Sequence, residues 1–318
     1  MKIKKIAAVI SALAVATASF ALAGCGGGDA PAEITAWEVP DKYRETRTDG
    51  AGTVEEFSYT AHDYVNGSDG TEKKTANIYL PHGYDESKRY NIVYLLHGTD
   101  PQTVDHKNTW LYTIGVKNVL DNMIYYGDIE PLIVVTPVFY SYGLFGDDDM
   151  KNIKDFSQTK VNSSANFADE LRKDIIPAVE SAYSTYAESA TEEDFIASRD
   201  HRAMAGLSNG CRITYTAGMM HNFDYISTFG CYSASVDSGD VIAALTSEKF
   251  AGYKLNYMFN ADGIYDFAYN AHRRMYDELL ECDKFTADNT EYVRIEFGYH
   301  SARSWRVAFY DSLLRFFV

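Results

Sequence analysis

Gly206-Leu207-Ser208-Asn209-Gly210 holds a serine between two glycines, directly after the strand-like run Arg202-Ala203-Met204-Ala205 and ahead of a predicted helix. A serine on a tight strand-to-helix turn sits at strained backbone angles, and flanking glycines let neighbouring segments approach without a Cβ clash. The hydroxyl then stands clear of the sheet, which suits attack on an acyl carbon. The N–H of Asn209 is the first candidate donor to the oxyanion that such an attack generates.

A serine nucleophile needs a base, and the base needs an orienting acid. After a turn of this kind the two partners follow in the order acid then histidine, each from a loop at the carboxyl end of a later strand. Two histidines lie well downstream, His272 and His300. His272 falls inside a helical pattern and reads as a packed side chain. His300 follows a strand in Gly298-Tyr299-His300-Ser301 and is the expected general base. Asp262-Gly263-Ile264-Tyr265-Asp266 offers two carboxylates. Asp266 is the expected acid, and its place near a helix start would also allow it to serve as an N-cap. The second oxyanion donor is expected from the loop Leu95-Leu96-His97-Gly98-Thr99-Asp100, as the amide of Thr99 or Asp100. His97 precedes the serine, against the usual order, and reads as a loop-shaping residue.

These residues require a particular frame. Asn91 to Leu96 and Pro131 to Val135 are continuous apolar runs, the mark of strands buried on both faces. Glu55 to Tyr59 and Lys74 to Leu80 read as an antiparallel entry pair around Asn66-Gly67-Ser68-Asp69-Gly70. Later strands are predicted near Tyr225 to Phe229, Leu255 to Phe259 and Tyr292 to Phe297. Helices are predicted over Trp110 to Tyr125, Phe167 to Tyr183, Ile213 to Met220, Ala268 to Leu280 and Ser304 to Phe316. Strands alternating with helices imply an α/β fold, a mostly parallel sheet covered on both faces in one catalytic domain.

The N-terminus resembles a bacterial lipoprotein signal: Lys2, Lys4 and Lys5, an apolar stretch to Ala23, then Leu22-Ala23-Gly24-Cys25. That resemblance implies a signal over residues 1–24, a lipidated Cys25, a tether over 25–50, a catalytic domain over 51–318 and an extracytoplasmic protein anchored at the cell surface. Losing the three signal lysines takes the formal charge from −16 to −19. Such a field disfavours nucleic acid and other anionic polymers as partners. Cys211, Cys231 and Cys282 have no Cys-x-x-Cys spacing, so neither a disulfide framework nor a zinc site is expected. Asp147-Asp148-Asp149 lacks the alternating ligands of a calcium loop. No metal and no cofactor are expected.

Asn77 to Asp85, Leu95 to Gly98, Ile133 to Pro137, Arg202 to Gly210, Gly263 to Asn270 and Gly298 to His300 together resemble the feruloyl and acetyl xylan esterases of carbohydrate esterase family one. The resemblance runs from about Thr53 to the C-terminus. It implies an α/β-hydrolase fold, the triad Ser208, Asp266 and His300, and hydrolysis of feruloyl or acetyl esters on plant cell-wall xylan. The chain departs from that family in carrying Asn209-Gly210-Cys211 where members have methionine and two glycines. It also has Thr99-Asp100-Pro101-Gln102 in place of a glycine-rich run. Phe139, Tyr140 and Trp305 are the expected substrate-facing aromatics, with Tyr142 and Phe145 in a stretch, Val138 to Asn162, expected to cover the site. An acyltransferase, an esterase for another acyl group, and a non-catalytic glycan-binding lipoprotein are the alternatives.

Overall fold

The computed structural model describes residues 34–99, 106–140 and 164–318. Cys25, Asp100, Tyr142, Phe145 and the Asp147–Asp149 run lie outside these residues, as do the signal and the first nine residues of the expected tether.

Among the described residues nine strands form one sheet in the order β1-β9-β8-β7-β6-β4-β5-β3-β2. They are β1 Ile34–Ala36, β2 Thr53–His62, β3 Thr71–Leu80, β4 Asn91–Leu96, β5 Leu132–Thr136, β6 Arg202–Leu207, β7 Thr228–Tyr232, β8 Tyr257–Gly263 and β9 Thr290–Ile295. β2 and β3 pair antiparallel, β3 joins β5 antiparallel, and every other pairing is parallel. β4 shows why the centre is apolar throughout. Ile92, Tyr94 and Leu96 enter one core layer, with Val179, Met204 and Phe229, while Val93 and Leu95 enter the other, with Trp110, Leu120 and Phe309. Each layer is closed by helices, Val116–Tyr126 and Ala302–Leu313 on one side, Ile176–Ala182 and Tyr269–Leu279 on the other. This is the mostly parallel, doubly covered α/β sheet expected from the sequence.

Among the boundaries that differ from expectation, three have identifiable physical reasons. The single predicted helix from Trp110 is interrupted at Gly115, whose φ of 82° is left-handed, so Val116–Tyr126 starts afresh. β7 begins at Thr228 because Tyr225 and Ile226 still close a turn on the Asn222 carbonyl. The folded unit also begins before residue 51. Ile34–Ala36 runs parallel to Val293–Ile295 at the sheet edge, Val39 and Tyr43 are buried, and the Tyr43 hydroxyl donates to Asp128 at 2.7 Å. A three-residue edge strand has too few positions to show a period, so its register is set by a partner near the other end of the chain.

Two buried ion pairs tie helices to the sheet. Lys74 Nζ donates to Glu170 Oε1 at 2.6 Å and to the Tyr140 carbonyl at 2.7 Å. Arg202, at the start of β6, grips Glu180 through Nε at 2.6 Å and Nη2 at 2.8 Å, and both side chains are 1% exposed. Arg202→Met is expected to cost about 3–5 kcal/mol, because it strands a buried carboxylate whose other partners among the described residues are the Tyr94 and Thr185 hydroxyls. A urea denaturation midpoint lowered at constant m-value would register that loss. A change below about 1 kcal/mol would mean that water reaches Glu180.

Candidate active site

The chain leaves β6 through Ser208 at φ 52° and ψ −120°, a conformation that residues with a Cβ rarely adopt. It is held there because the Ser208 N–H donates to Tyr232 O at 2.8 Å, while its carbonyl accepts from Cys211 N at 3.0 Å. The glycines of the motif serve close approach. A Cβ on Gly206 would lie 2.4 Å from the Gly210 carbonyl, and one on Gly210 would lie 2.3 Å from the His97 carbonyl. Asn209 opens the helix Asn209–Ile213, the position from which a backbone N–H serves an oxyanion in a turn of this kind. Gly98 passes beside the serine, so that a Cβ there would be 3.3 Å from Ser208 Cβ, and the next residue, Thr99, is exposed at the same end of the sheet.

Three loops converge on the serine. His300, from the loop after β9, places Nε2 3.0 Å from Ser208 Oγ. Its Nδ1 lies 3.0 Å from both carboxylate oxygens of Asp266, which follows β8. A carboxylate at Nδ1 keeps the proton on that nitrogen and leaves Nε2 as an acceptor for the serine hydroxyl. Asp266 also accepts from the Ala268 N–H at 2.9 Å, so its role at the helix start and its contact with His300 coexist. Burial would raise its pKa, but hydrogen bonds from His300, the Ala268 N–H and the Ser233 hydroxyl outweigh that and hold the carboxyl below its ordinary value.

Ser233 was not singled out in the sequence. It sits after β7 at φ 64°, and its hydroxyl bridges the indole N–H of Trp305, at 2.9 Å, to Asp266. The signal that would have found it is positional, since the residue after β7 occupies the sheet edge between the serine and acid loops.

The other expected residues fall into place unequally. His97 is stacked between Phe139, at 4.1 Å and 11°, and His106, at 4.5 Å and 22°, and its Nδ1 lies 2.7 Å from the Gly98 carbonyl. Burial pushes its imidazole well below the ordinary value, and the neutral ring shapes the loop beside Ser208. His272 is buried against Asp262, with Nδ1 2.5 Å from Oδ2 and Nε2 3.0 Å from the Tyr215 hydroxyl, and packs as a core side chain. Cys211 is buried, which pushes its thiol well up, so it packs as a small apolar side chain.

Phe139 and Tyr140 require a correction. They are 1% and 0% exposed and face inward, against His97 and His106, rather than presenting a ring to a substrate. The chain after β5 turns under the His97 loop, and the rings fill the space beneath it. Trp305 is half-buried and meets the His300 ring edge-on at 5.0 Å and 86°, bracing the imidazole. The aromatics that do face solvent here are Tyr265, Phe267 and Tyr299, with Phe267 only 4.3 Å from the His300 ring. Phe267 adjoins Asp266 in sequence and Tyr299 adjoins His300, a proximity that was legible in the motifs.

A serine on a strained elbow, hydrogen-bonded through a histidine to a carboxylate above a mostly parallel sheet, defines a serine hydrolase of the α/β-hydrolase class. The family described as Putative esterase matches residues 69–245, more than half of the chain, and the protein belongs to that family. Endo-1,4-beta-xylanase Y of Acetivibrio thermocellus is 34% identical over 239 residues, which is 73% of this chain and 19% of that protein. The chain therefore spans about a fifth of the length of this curated relative. Among solved structures, a mutant of the feruloyl esterase module from Clostridium thermocellum complexed with sinapinate is 29% identical, with a TM-score of 0.74, covering 90% of this chain and 94% of that one. The CE1 ferulic acid esterase of the anaerobic fungus Anaeromyces mucronatus shares the fold at 21% identity, with a TM-score of 0.65 over 88% of this chain and 96% of that one.

Proposed function

We propose that this protein is a serine carboxylesterase that removes feruloyl, or else acetyl, groups from plant cell-wall xylan through an acyl-enzyme. The observation that carries the reading is the hydrogen-bonded chain Ser208–His300–Asp266 on the elbow after β6. The similarity to a feruloyl esterase module and to a xylanase supports the choice of ester.

In this reading His300 Nε2 takes the Ser208 proton as Oγ attacks the ester carbonyl. The Asn209 N–H, with Thr99 as the second donor, stabilises the developing oxyanion, each such donor being worth about 10²–10³ in rate. Collapse expels the sugar hydroxyl with the proton returned from His300. Water, deprotonated by the same imidazole, then attacks the acyl-serine and releases the acid. Asp266 stays ionised throughout and stabilises the imidazolium.

Hydrolysis of methyl ferulate beside that of an aryl acetate tests the substrate. Ferulate release supports a feruloyl esterase, acetate release alone assigns a deacetylase, and silence on both esters overturns the reading. The leader and Cys25 support anchoring of the mature protein by lipid at the outer face of a membrane. Cys25→Ala should then abolish fatty-acid labelling and release the protein into the medium; unchanged labelling would refute the anchor.

A further inference from the structure

We propose that the exposed aromatic rim beyond the carboxyl ends of β8, β9 and β1 is a glycan-binding platform, which holds the neutral polysaccharide chain that runs from the ester being cleaved toward β1. The proposal rests on the esterase reading for its substrate, but the binding it describes is measurable without turnover.

β6, β7, β8, β9 and β1 are consecutive and parallel, so their carboxyl ends form one edge. At about 4.8 Å per strand, that edge runs about 19 Å from the serine loop to β1. Open α/β sheets bind ligands along this edge. Trp37 follows β1, Phe297 and Tyr299 follow β9, and Tyr265 and Phe267 follow β8. Their exposures are 59%, 59%, 59%, 55% and 81%, so five of the eleven large exposed hydrophobics among the described residues lie just past three neighbouring strands. The rings come in contacting steps. Phe267 lies 4.3 Å from the His300 ring, Tyr265 lies 5.1 Å from Tyr299, and Trp37 lies 5.7 Å from Phe297. The three pairs step from the triad at His300 to the sheet edge at Trp37.

The backbone under these rings is fixed. Tyr265 N donates to Gly298 O at 2.9 Å, Ile264 N to Ile295 O at 3.1 Å, and Glu296 N to Ala36 O at 2.9 Å. Phe297 is held at φ 53°, a left-handed conformation unusual for a bulky residue. Rigid rings with few rotatable bonds lose little entropy when a partner covers them. Exposed aromatic rings gathered along one sheet edge in this way mark a binding site.

The chemistry favours a sugar chain. A pyranose presents a face of C–H groups that packs on an aromatic ring, while its hydroxyls lie around the edge. The rim supplies partners for those hydroxyls, since Arg303 and Glu38 are paired at 3.0 Å beside Trp37 with side chains 32% and 44% exposed. A formal charge of −16 disfavours a polyanion and makes a neutral glycan the better-matched occupant.

The test compares the purified chain with Trp37→Ala, Tyr265→Ala and the double variant. All are surface truncations, checked for folding by circular dichroism, with Trp37→Phe as the conservative rescue. Two readouts are taken: calorimetric affinity for unesterified xylo-oligosaccharide, and the ratio of kcat/KM on a feruloylated xylo-oligosaccharide to that on methyl ferulate. The double variant should lose oligosaccharide affinity at least tenfold and lower the ratio at least tenfold, through KM, and Trp37→Phe should restore most of both. Unchanged affinity and an unchanged ratio in an active esterase would overturn the platform and leave the esterase reading standing. Rim-dependent oligosaccharide binding in a chain inactive on every ester would support the platform while the esterase reading failed. A dimer that dissociates on substitution, with no glycan affinity, would assign the rim to contact between copies and overturn the proposal.

Discussion

Ser208→Ala is expected to lower ester turnover by about 10⁴–10⁶-fold, with residual rate from the oxyanion donors alone. The alanine keeps the Cβ, so the strain at φ 52° is unchanged, and the Ser208 N–H bond to Tyr232 O does not involve the side chain. What is lost is one hydroxyl, whose structural partner is His300 Nε2 at 3.0 Å. The urea midpoint should therefore stay close to that of the parent. The decisive measurement is kcat/KM on the better of the two test esters, together with labelling by a serine-directed phosphonate. A variant retaining more than about a tenth of parental activity would remove Ser208 from the chemistry, because loss of a true nucleophile costs several powers of ten.

Asp266→Asn carries the second largest effect, about 10⁴-fold in kcat. With an amide at 266, an N–H group can face His300 Nδ1, which favours the tautomer with the proton on Nε2. That nitrogen is then a donor where the Ser208 hydroxyl needs an acceptor. The Asn oxygen can still accept from the Ala268 N–H, so the start of the following helix survives and the defect is one of chemistry rather than folding. Because hydrogen bonds hold the Asp266 carboxyl below its ordinary value, its contribution to stability is present above the unfolded-state pKa and is lost as pH falls through the lower folded-state value. The parent should thus lose stability in acid more steeply than Asp266→Asn. Equal kcat in the two proteins would place the orienting acid elsewhere, and the buried Asp262 is engaged by His272 and Tyr292.

The linear order of residues carried a large part of this site. A nucleophile elbow is encoded locally: Ser208 needs a strand before it, a helix after it and glycines where backbones touch, and all of these are neighbours in the chain. β4 was legible because both its faces are buried from Ile92 on, and each of those positions is apolar or aromatic. His300 and Asp266 followed from chain order once the serine was placed, since each must end a later strand.

Other features depended on partners that the sequence does not bring together. β1 exists because Ile34–Ala36 meets Val293–Ile295 at the far end of the chain, and no period in three residues announces that. The helices Glu192–Ala197 and Ser238–Thr246 were missed because one is a short, acidic segment and the other follows a polar loop. The fate of each aromatic was beyond local reading as well. Phe139 and Tyr140 look like any rings in a loop, and they are buried because the His97 loop closes over them. Phe267 and Tyr299 are no more polar, yet they face solvent, because the loops after β8 and β9 cross at Gly263 and Gly298 and turn those rings outward along the rim. The sequence by itself determined the chemistry, through an elbow encoded by neighbouring residues and a chain order that points to its two distant partners. Tertiary structure alone decided which aromatic rings a substrate can meet, because exposure belongs to the packed surface and not to the side chain.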